Sequence, residues 1–508
     1  MAFDLETAIN PAGLRRVAID PVSRVEGHGK VTILLDEQNR VKQVRLHIVE
    51  FRGFEKFIEG RPYFEVPVMV QRMCGICPVS HQLASSKAMD VVIGARSITA
   101  TAEKIRRLMH YGQVMQSHAL HFFYLASPDL LFGFDSDVNL RNIVGIAEAH
   151  PEIAKMGILM RKFGQELIRV TSGKRIHGTG SVPGGVNKHV TRVDRDLLVG
   201  DANQMIFWAN EAVDIIKKIV AQNPTLYNDF GSFRSNMLSL VRADGALDLY
   251  HGVLRARDAD GKVFLDSAND QLYMDLIEEE VRPWTYMKFP HLRSLGREKG
   301  WYRVGPLARV QNCDFIPSPL AELQRKEFLD WGKGAPIHAT LMYHWARMIE
   351  LLHTTEVIKE LLNDPDILQG ELMASGKRQP GGVGIIEAPR GTLIHDYQVD
   401  ADDLVTKCNL IVSTTHNNQA MNEAVRSVAR DYLDGNALTE GLLNRIEIAI
   451  RAFDPCLSCA THALGQMPLD VALLDADEQP IDHVTKSSSG EMQRNPVRRA
   501  AQPMGEVA

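Results

Sequence analysis

Apolar and polar side chains alternate over much of residues 15–50. Val44, Leu46 and Ile48 are separated by Arg45 and His47, the period of two that a half-buried strand requires. DEQNR at 36–40, between GKVTILL and VKQVRLHIV, predicts a hairpin turn. After Pro67 the period lengthens. Over 98–126, Ile105, Leu108, Met109, Met115 and Leu120 follow the spacing of a buried helix stripe. The stretches 139–170, 194–222, 338–363 and 416–433 also predict helices, and short strand-like segments recur near 262–266 and 382–394. There is no internal repeat and no low-complexity linker. The pattern predicts one mainly α body with a small β layer, an α+β protein with a helical-bundle core. That body spans 1–462, β-rich over 15–60 and helical beyond. Residues 463–508 form an extension: ALGQMPLDVALLD reads as a strand or strand pair, and from about 486 the polar, aperiodic sequence predicts disorder.

Composition narrows the function. Of 508 residues, 45% are hydrophobic and 24% charged, which excludes a disordered or fibrous chain. Lys plus Arg number 57 and Asp plus Glu 63. A net charge of −6 gives no electrostatic reason to expect nucleic acid or an anionic membrane as partner. No apolar run approaches the ~18 residues of a spanning helix. MAFDLETAIN lacks the basic start and apolar stretch of a signal peptide. Arg15-Arg16 is followed by Asp20 and SRVEGHGK, not by the apolar region of an export signal. The expected location is the cytoplasm.

Six cysteines are too few for a disulfide scaffold, but four of them are paired. One pair sits in Arg72-Met-Cys74-Gly-Ile-Cys77-Pro-Val-Ser-His81, the other in Asp454-Pro-Cys456-Leu-Ser-Cys459-Ala-Thr-His462. Both read as helix starts, with Pro78 and Pro455 in the first turn and Asp454 as N-cap. A helix N-terminus favours the thiolate that a metal requires, and residues three apart share a helix face. Two such pairs facing each other supply four thiolates. Two CxxC pairs usually mean structural zinc. Against zinc, the pairs are separated by most of the chain, and a body of this size has no need of a staple. Each pair also carries a nearby His, a surplus that suits a metal which must be oriented and tuned. Thiolates also suit redox-active nickel and iron.

RMCGICPVSH and DPCLSCATH resemble the two metal-binding motifs of the [NiFe]-hydrogenase large subunit, RxCGxCxxxH and DPCxxCxxH. SRVEGHGK (23–30), FRGFE (51–55), PGGVNK (183–188) and IEAPRG (386–391) extend the resemblance in the family's order. IRAFDPCLSCATHALGQMPL is most similar to the cytoplasmic, bidirectional NAD-reducing group. The resemblance implies the large-subunit fold and reversible heterolytic cleavage of H₂. It implies nickel bound by four thiolates, with Cys74 and Cys456 terminal and Cys77 and Cys459 bridging to an iron that carries CO and CN ligands. Heterolysis releases a proton that needs a nearby base. Cys456 is the first acceptor in this reading, and Glu26 resembles the family's proton-relay glutamate. Arg390 resembles the guanidinium poised above the metals, with Pro389 shaping the same pocket and His81 donating to a bridging cysteine. Glu55 and His462 resemble ligands of a structural Mg²⁺ ion. His118 and His121 read as core histidines or groups behind the ligands. Ser117 stands where many family members carry Asp, so no carboxylate role is assigned there.

Cys313 and Cys408 read as plain buried thiols. A cluster commonly needs four cysteines, so two cannot hold an iron–sulfur relay. GTGSVPGG has the wrong spacing for a dinucleotide loop. The chain therefore needs a cluster-bearing partner. The resemblance implies a small hydrogenase subunit with Fe–S clusters and diaphorase subunits holding FMN and NAD. It also implies nickel-insertion factors and a maturation endopeptidase that cuts after His462, which would make this chain a precursor. Two alternatives stand beside this reading. One is a zinc-stapled structural or assembly subunit. The other is a homologous quinone-binding respiratory subunit, whose members lack the four cysteines.

Overall fold

The computed structural model describes residues 15–95, 97–267, 269–282, 284–461, 469–474, 480–486 and 491–494. The N-terminal alternation builds an antiparallel sheet of β1 (Arg15–Ile19), β2 (Gly29–Leu35) and β3 (Val41–Ile48). The turn expected at 36–40 closes on Asp36, whose carboxylate accepts the Gln38 and Arg40 amides at 2.9 Å each. Asn39 adopts φ 59° there, the left-handed conformation that Asn tolerates well. The inner face of this sheet, with Val31, Ile33, Val44 and Leu46, joins the main core.

The helical body begins with α1 (Pro78–Val92), α2 (Ala100–Leu120), α3 (Pro151–Ser172) and α4 (Arg192–Gln222). It continues with α5 (Pro306–Asn312), α6 (Tyr343–Asn363), α7 (Asn418–Val428) and α8 (Glu440–Ala452). Local chemistry sets their ends. Thr99, Thr191 and Thr439 cap α2, α4 and α8 by accepting the amides of Ala102, Asp194 and Leu442. The helix expected over 139–170 is divided into Ile143–Ala149 and α3, because Pro151 has no N–H to continue the first helix. The helices expected at 98–126 and 416–433 end in π turns, His121–Ala126 and Ala429–Leu433. Helices α1, α2 and α6 are buried on nearly every side, so α1 and α6 lack the one-sided stripe of a surface helix.

Three further strands complete the framework of the site. The strand-like stretch near 382–394 is a tight hairpin of β4 (Gly381–Ala388) and β5 (Gly391–Val399), with β6 (Val405–Ile411) beside β5. Gly391 has φ 135°, and a Cβ there would lie 2.3 Å from Val304. Only glycine closes this turn. PGGVNK owes its glycines to a similar constraint: Gly184 has φ 88°, and a Cβ on Gly185 would fall 1.9 Å from the Leu372 carbonyl.

In the extension, β7 (Leu469–Leu474), β8 (Pro480–Lys486) and β9 (Met492–Arg494) form an antiparallel sheet of their own. The expected disorder from about 486 does not hold at 492–494, where pairing with β8 satisfies backbone groups that composition alone leaves to water. No helix among the described residues is long and apolar enough to cross a membrane.

Candidate metal centre

The four paired cysteines meet. Their sulfurs lie within 4.8 Å of one another, and all four residues are buried. Cys74 and Cys456, 382 positions apart in sequence, have Sγ atoms 3.3 Å apart. Cys77 and Cys459 are separated by 3.6 Å, and Cys456 and Cys459 by 2.8 Å. Sulfurs so close, sealed from water, suit a shared soft cation far better than four free thiols. Cys313 and Cys408 are buried elsewhere and take no part.

The two pairs are positioned differently. Cys77 is the N-cap of α1, and Pro78 occupies its first turn, as the sequence predicts. The second pair does not start a helix. It follows the end of α8, in an irregular turn where Cys456 makes a parallel bridge with Glu26. Asp454 is therefore not an N-cap. It has φ 54°, and its carboxylate turns to Arg390. The amides that would have opened a helix go elsewhere. Cys456 N–H donates to Thr414 Oγ1 at 2.9 Å, and Leu457 N–H to the Glu26 carbonyl at 3.0 Å. Ser458 N–H donates to the Glu26 carboxylate at 3.2 Å.

Protonation follows the packing. Hydrogen bonds from Cys456, Cys459 and Cys74, and a weaker one from His81, hold the Cys77 thiol well below its ordinary range. Burial pushes Cys456 and Cys459 up. His81 Nδ1 also lies 3.2 Å from His395 Nε2, and His395 Nδ1 lies 2.6 Å from the Tyr397 hydroxyl. A buried polar chain thus runs back from Cys77.

Arg390 and Pro389 form the two-residue turn between β4 and β5. Arg390 Nε donates to the Asp454 carbonyl at 2.6 Å, Nη2 to its carboxylate at 3.1 Å, and Nη1 to Ser117 Oγ at 3.4 Å. Burial opposes its charge, but Asp454 and the nearby Cys456, Cys77 and Cys74 sulfurs keep it firmly protonated. Burial raises the Asp454 carboxyl to about 6 even against Arg390 and Arg347.

Behind this turn lies a buried ionic layer. Arg309 of α5 donates to the carbonyls of Ala388 and Pro389 at 2.8 and 3.1 Å and pairs with Glu387 at 2.9 Å. It also grips Glu350 of α6 at 2.5 and 2.6 Å. His118 Nε2 lies 3.0 Å from the same Glu350. Burial pushes the Glu350 carboxyl up, but Arg309 and His118 more than offset it and hold it at about 2.

Glu26 is half-buried at the edge of the centre, tied to the 456–459 turn. Glu55 lies apart, in the short helix Phe54–Ile58 packed against β6: its carboxylate accepts the Leu410 amide at 3.0 Å, and burial raises its pKa while Lys288 opposes the shift. His462 lies outside the described residues. Thr414, Ser458, Asp454, Ser117 and Arg309 are site residues whose contacts sequence reasoning missed. Asp454 and Ser458 carry a signal by standing inside the DPCLSC motif, and Ser117 by standing where many family members carry Asp.

This arrangement is that of a nickel-dependent hydrogenase. The family description "Nickel-dependent hydrogenase" matches residues 52–132 and 256–462, and a description "HoxL-like" matches 16–51. The chain belongs to this family, as a large, metal-carrying subunit. It is 46% identical over 483 residues to the beta subunit of an NAD-reducing hydrogenase of Cupriavidus necator, covering 92% of this chain and 99% of that one. An F420-non-reducing hydrogenase of Methanocaldococcus jannaschii has a corresponding polypeptide 44% identical to it, covering 82% of this chain and 99% of the other. A crystal structure of an NAD⁺-reducing [NiFe]-hydrogenase in the H₂-reduced state superposes with a TM-score of 0.87, at 57% identity over 88% of this chain and 99% of that one. The Ni-Fe-Se hydrogenase of Desulfovibrio vulgaris Hildenborough, at 23% identity and a TM-score of 0.71, shares the fold. Membership replaces the zinc-stapled scaffold as an account of the four sulfurs.

Proposed function

We propose that the chain is the catalytic subunit of an NAD-coupled [NiFe]-hydrogenase and cleaves H₂ reversibly into protons and electrons. The observation that carries this is the convergence of four buried cysteine sulfurs within 4.8 Å, near a guanidinium held by Asp454. The donor set fits a nickel–iron pair, with Cys74, Cys77, Cys456 and Cys459 as ligands. When bound, that centre supplies the electrophile that polarises H₂ and the sink for its electrons.

The remaining work falls to this chain. Burial keeps water from the reacting atoms, which strengthens every charge interaction there. Arg390, fixed by Asp454, holds a buried positive charge beside the cysteine sulfurs, and the Pro389 carbonyl is anchored from behind by Arg309. His81 hydrogen-bonds the Cys77 sulfur and fixes that ligand's orientation. Cys456 takes the released proton at Sγ, and the Glu26 carboxylate, beside the same turn and partly open to solvent, carries it outward.

Electrons leave toward a partner with Fe–S clusters. Gly75, next to Cys74, is exposed, and His177 Nε2 touches the Cys74 carbonyl at 3.2 Å. Arg52 reaches the Met73 carbonyl at 2.7 Å. Exposed Phe51 and Ile176 adjoin these two contacts, which is the aromatic, apolar and basic mixture of an obligate interface. This face supports a small subunit docked over Cys74, with diaphorase subunits holding FMN and NAD beyond it. Coupling to NAD places the complex in the cytoplasm. Glu55 and His462 are the proposed Mg²⁺ ligands, and removal of residues 463–508 by an endopeptidase completes maturation after nickel insertion.

The test is infrared spectroscopy and metal analysis of the complex purified with its partners. Carbonyl and cyanide bands with one nickel and one iron per chain are expected. Zinc alone, without such bands, would overturn the reading. H₂-driven reduction of an artificial dye without reduction of NAD would overturn the coupling, and a mature chain whose mass includes residue 508 would overturn the processing.

A further inference from the structure

Both carboxylate oxygens of Glu26 are held by one residue. Ser458 N–H donates to Oε2 at 3.2 Å, and Ser458 Oγ donates to Oε1. The backbone is tied at the same place, through the Leu457 amide on the Glu26 carbonyl at 3.0 Å. Gly27 permits the approach: its φ is 81°, and a Cβ on it would lie 2.6 Å from the Ser458 nitrogen. Ser458 is itself only 8% exposed, between the two cysteines of the second pair, whereas Glu26 is half-buried. A glutamate so placed has rotamers that reach solvent, and ordering a long side chain opposes its staying in. Glu26 is therefore kept inward by contacts from the ligand turn, and the serine hydroxyl is the only side-chain group among the described residues that bonds to it.

We propose that Ser458 is the positioning residue for Glu26: it locks the carboxylate to the turn that carries Cys456 and Cys459, so that the proton acceptor and the sulfurs keep a fixed separation. The inference rests on the reading of Glu26 as proton carrier. Proton transfer falls steeply with misplacement of the acceptor, so a hydroxyl on the ligand turn affects rate without ligating anything.

The experiment is a double-substitution cycle in the assembled holoenzyme, read by H₂/D₂O exchange, nickel and iron content, and the infrared carbonyl and cyanide bands. Glu26→Gln is expected to slow exchange by about 10²-fold or more. Ser458→Ala is expected to slow it about tenfold with metal content and bands unchanged, and Ser458→Thr, which keeps the hydroxyl, to restore it. In the Glu26→Gln background, Ser458→Ala is expected to add nothing. Losses that multiply, shifted infrared bands in Ser458→Ala, or a threonine variant as slow as alanine would overturn the proposal while leaving Glu26 in the proton path. Unslowed exchange in Glu26→Gln would instead remove Glu26 itself.

Discussion

Arg390 and Asp454 are joined twice, once through the Asp454 backbone carbonyl at 2.6 Å and once through its carboxylate at 3.1 Å. The planar fork of a guanidinium makes both contacts at once, and an ammonium does not reproduce them. Arg390→Lys is therefore expected to keep its nickel and iron but lose about 10²-fold in H₂ oxidation. Metal analysis beside a dye-reduction assay checks this. Activity within twofold of the unsubstituted enzyme would show that the forked geometry is dispensable.

Removing a sulfur from the cluster acts on the metals first. Cys456→Ala leaves three thiols where four now converge. The expected outcome is a folded chain without bound nickel, measured by elemental analysis of the purified protein. Retention of a full complement of nickel would mean that this sulfur is not a ligand.

Arg309 offers a contrast between buried and exposed charge. Its side chain and that of Glu350 are fully buried, whereas the Arg234–Asp260 pair is 64% and 76% exposed. Arg309→Ala removes the buried cation shared by Glu350 and Glu387 and the donor to two backbone carbonyls, and should cost ~3–5 kcal/mol. Arg234→Ala should cost under ~1 kcal/mol. Denaturant titration of both variants measures the difference, and equal midpoints would contradict it.

Acid should destabilise the fold early. Burial lowers His110, His118 and His353 to about 4 and His416 to about 3, from an ordinary value of 6.5. Their native pKa values lie below the unfolded ones, so between about pH 6.5 and 4 the unfolded chain binds more protons than the native one. Stability then falls as pH drops through that window. Thermal melts at pH 7.5 and 5.5 should show the lower Tm at pH 5.5; an unchanged Tm would mean these histidines are already charged in the fold.

The strands at 15–50, the main helices and the first cysteine pair were legible because each rests on local periodicity or a fixed spacing. The second pair was legible as chemistry but misread as structure. DPC resembles an N-cap followed by proline, yet Glu26, more than 400 positions earlier, takes the Leu457 and Ser458 amides. Tertiary pairing outweighed the local signal. Arg309 and Thr414 carried no pattern at all, and Ser117 showed only as a departure from the family's Asp: an arginine, a threonine and a serine look ordinary until the chain folds. The Glu26 assignment came from resemblance, since periodicity gives a lone glutamate no special role.

Cys74 and Cys456 meet across 382 positions of chain. A ribosome must therefore pass Cys456 and Cys459 before all four sulfurs of the cluster exist. Any truncated product ending ahead of Cys456 owns half a site and cannot retain the costly metal cargo. Seating of the cofactor thus certifies that synthesis reached its far side, a quality check written into the distance between two cysteines.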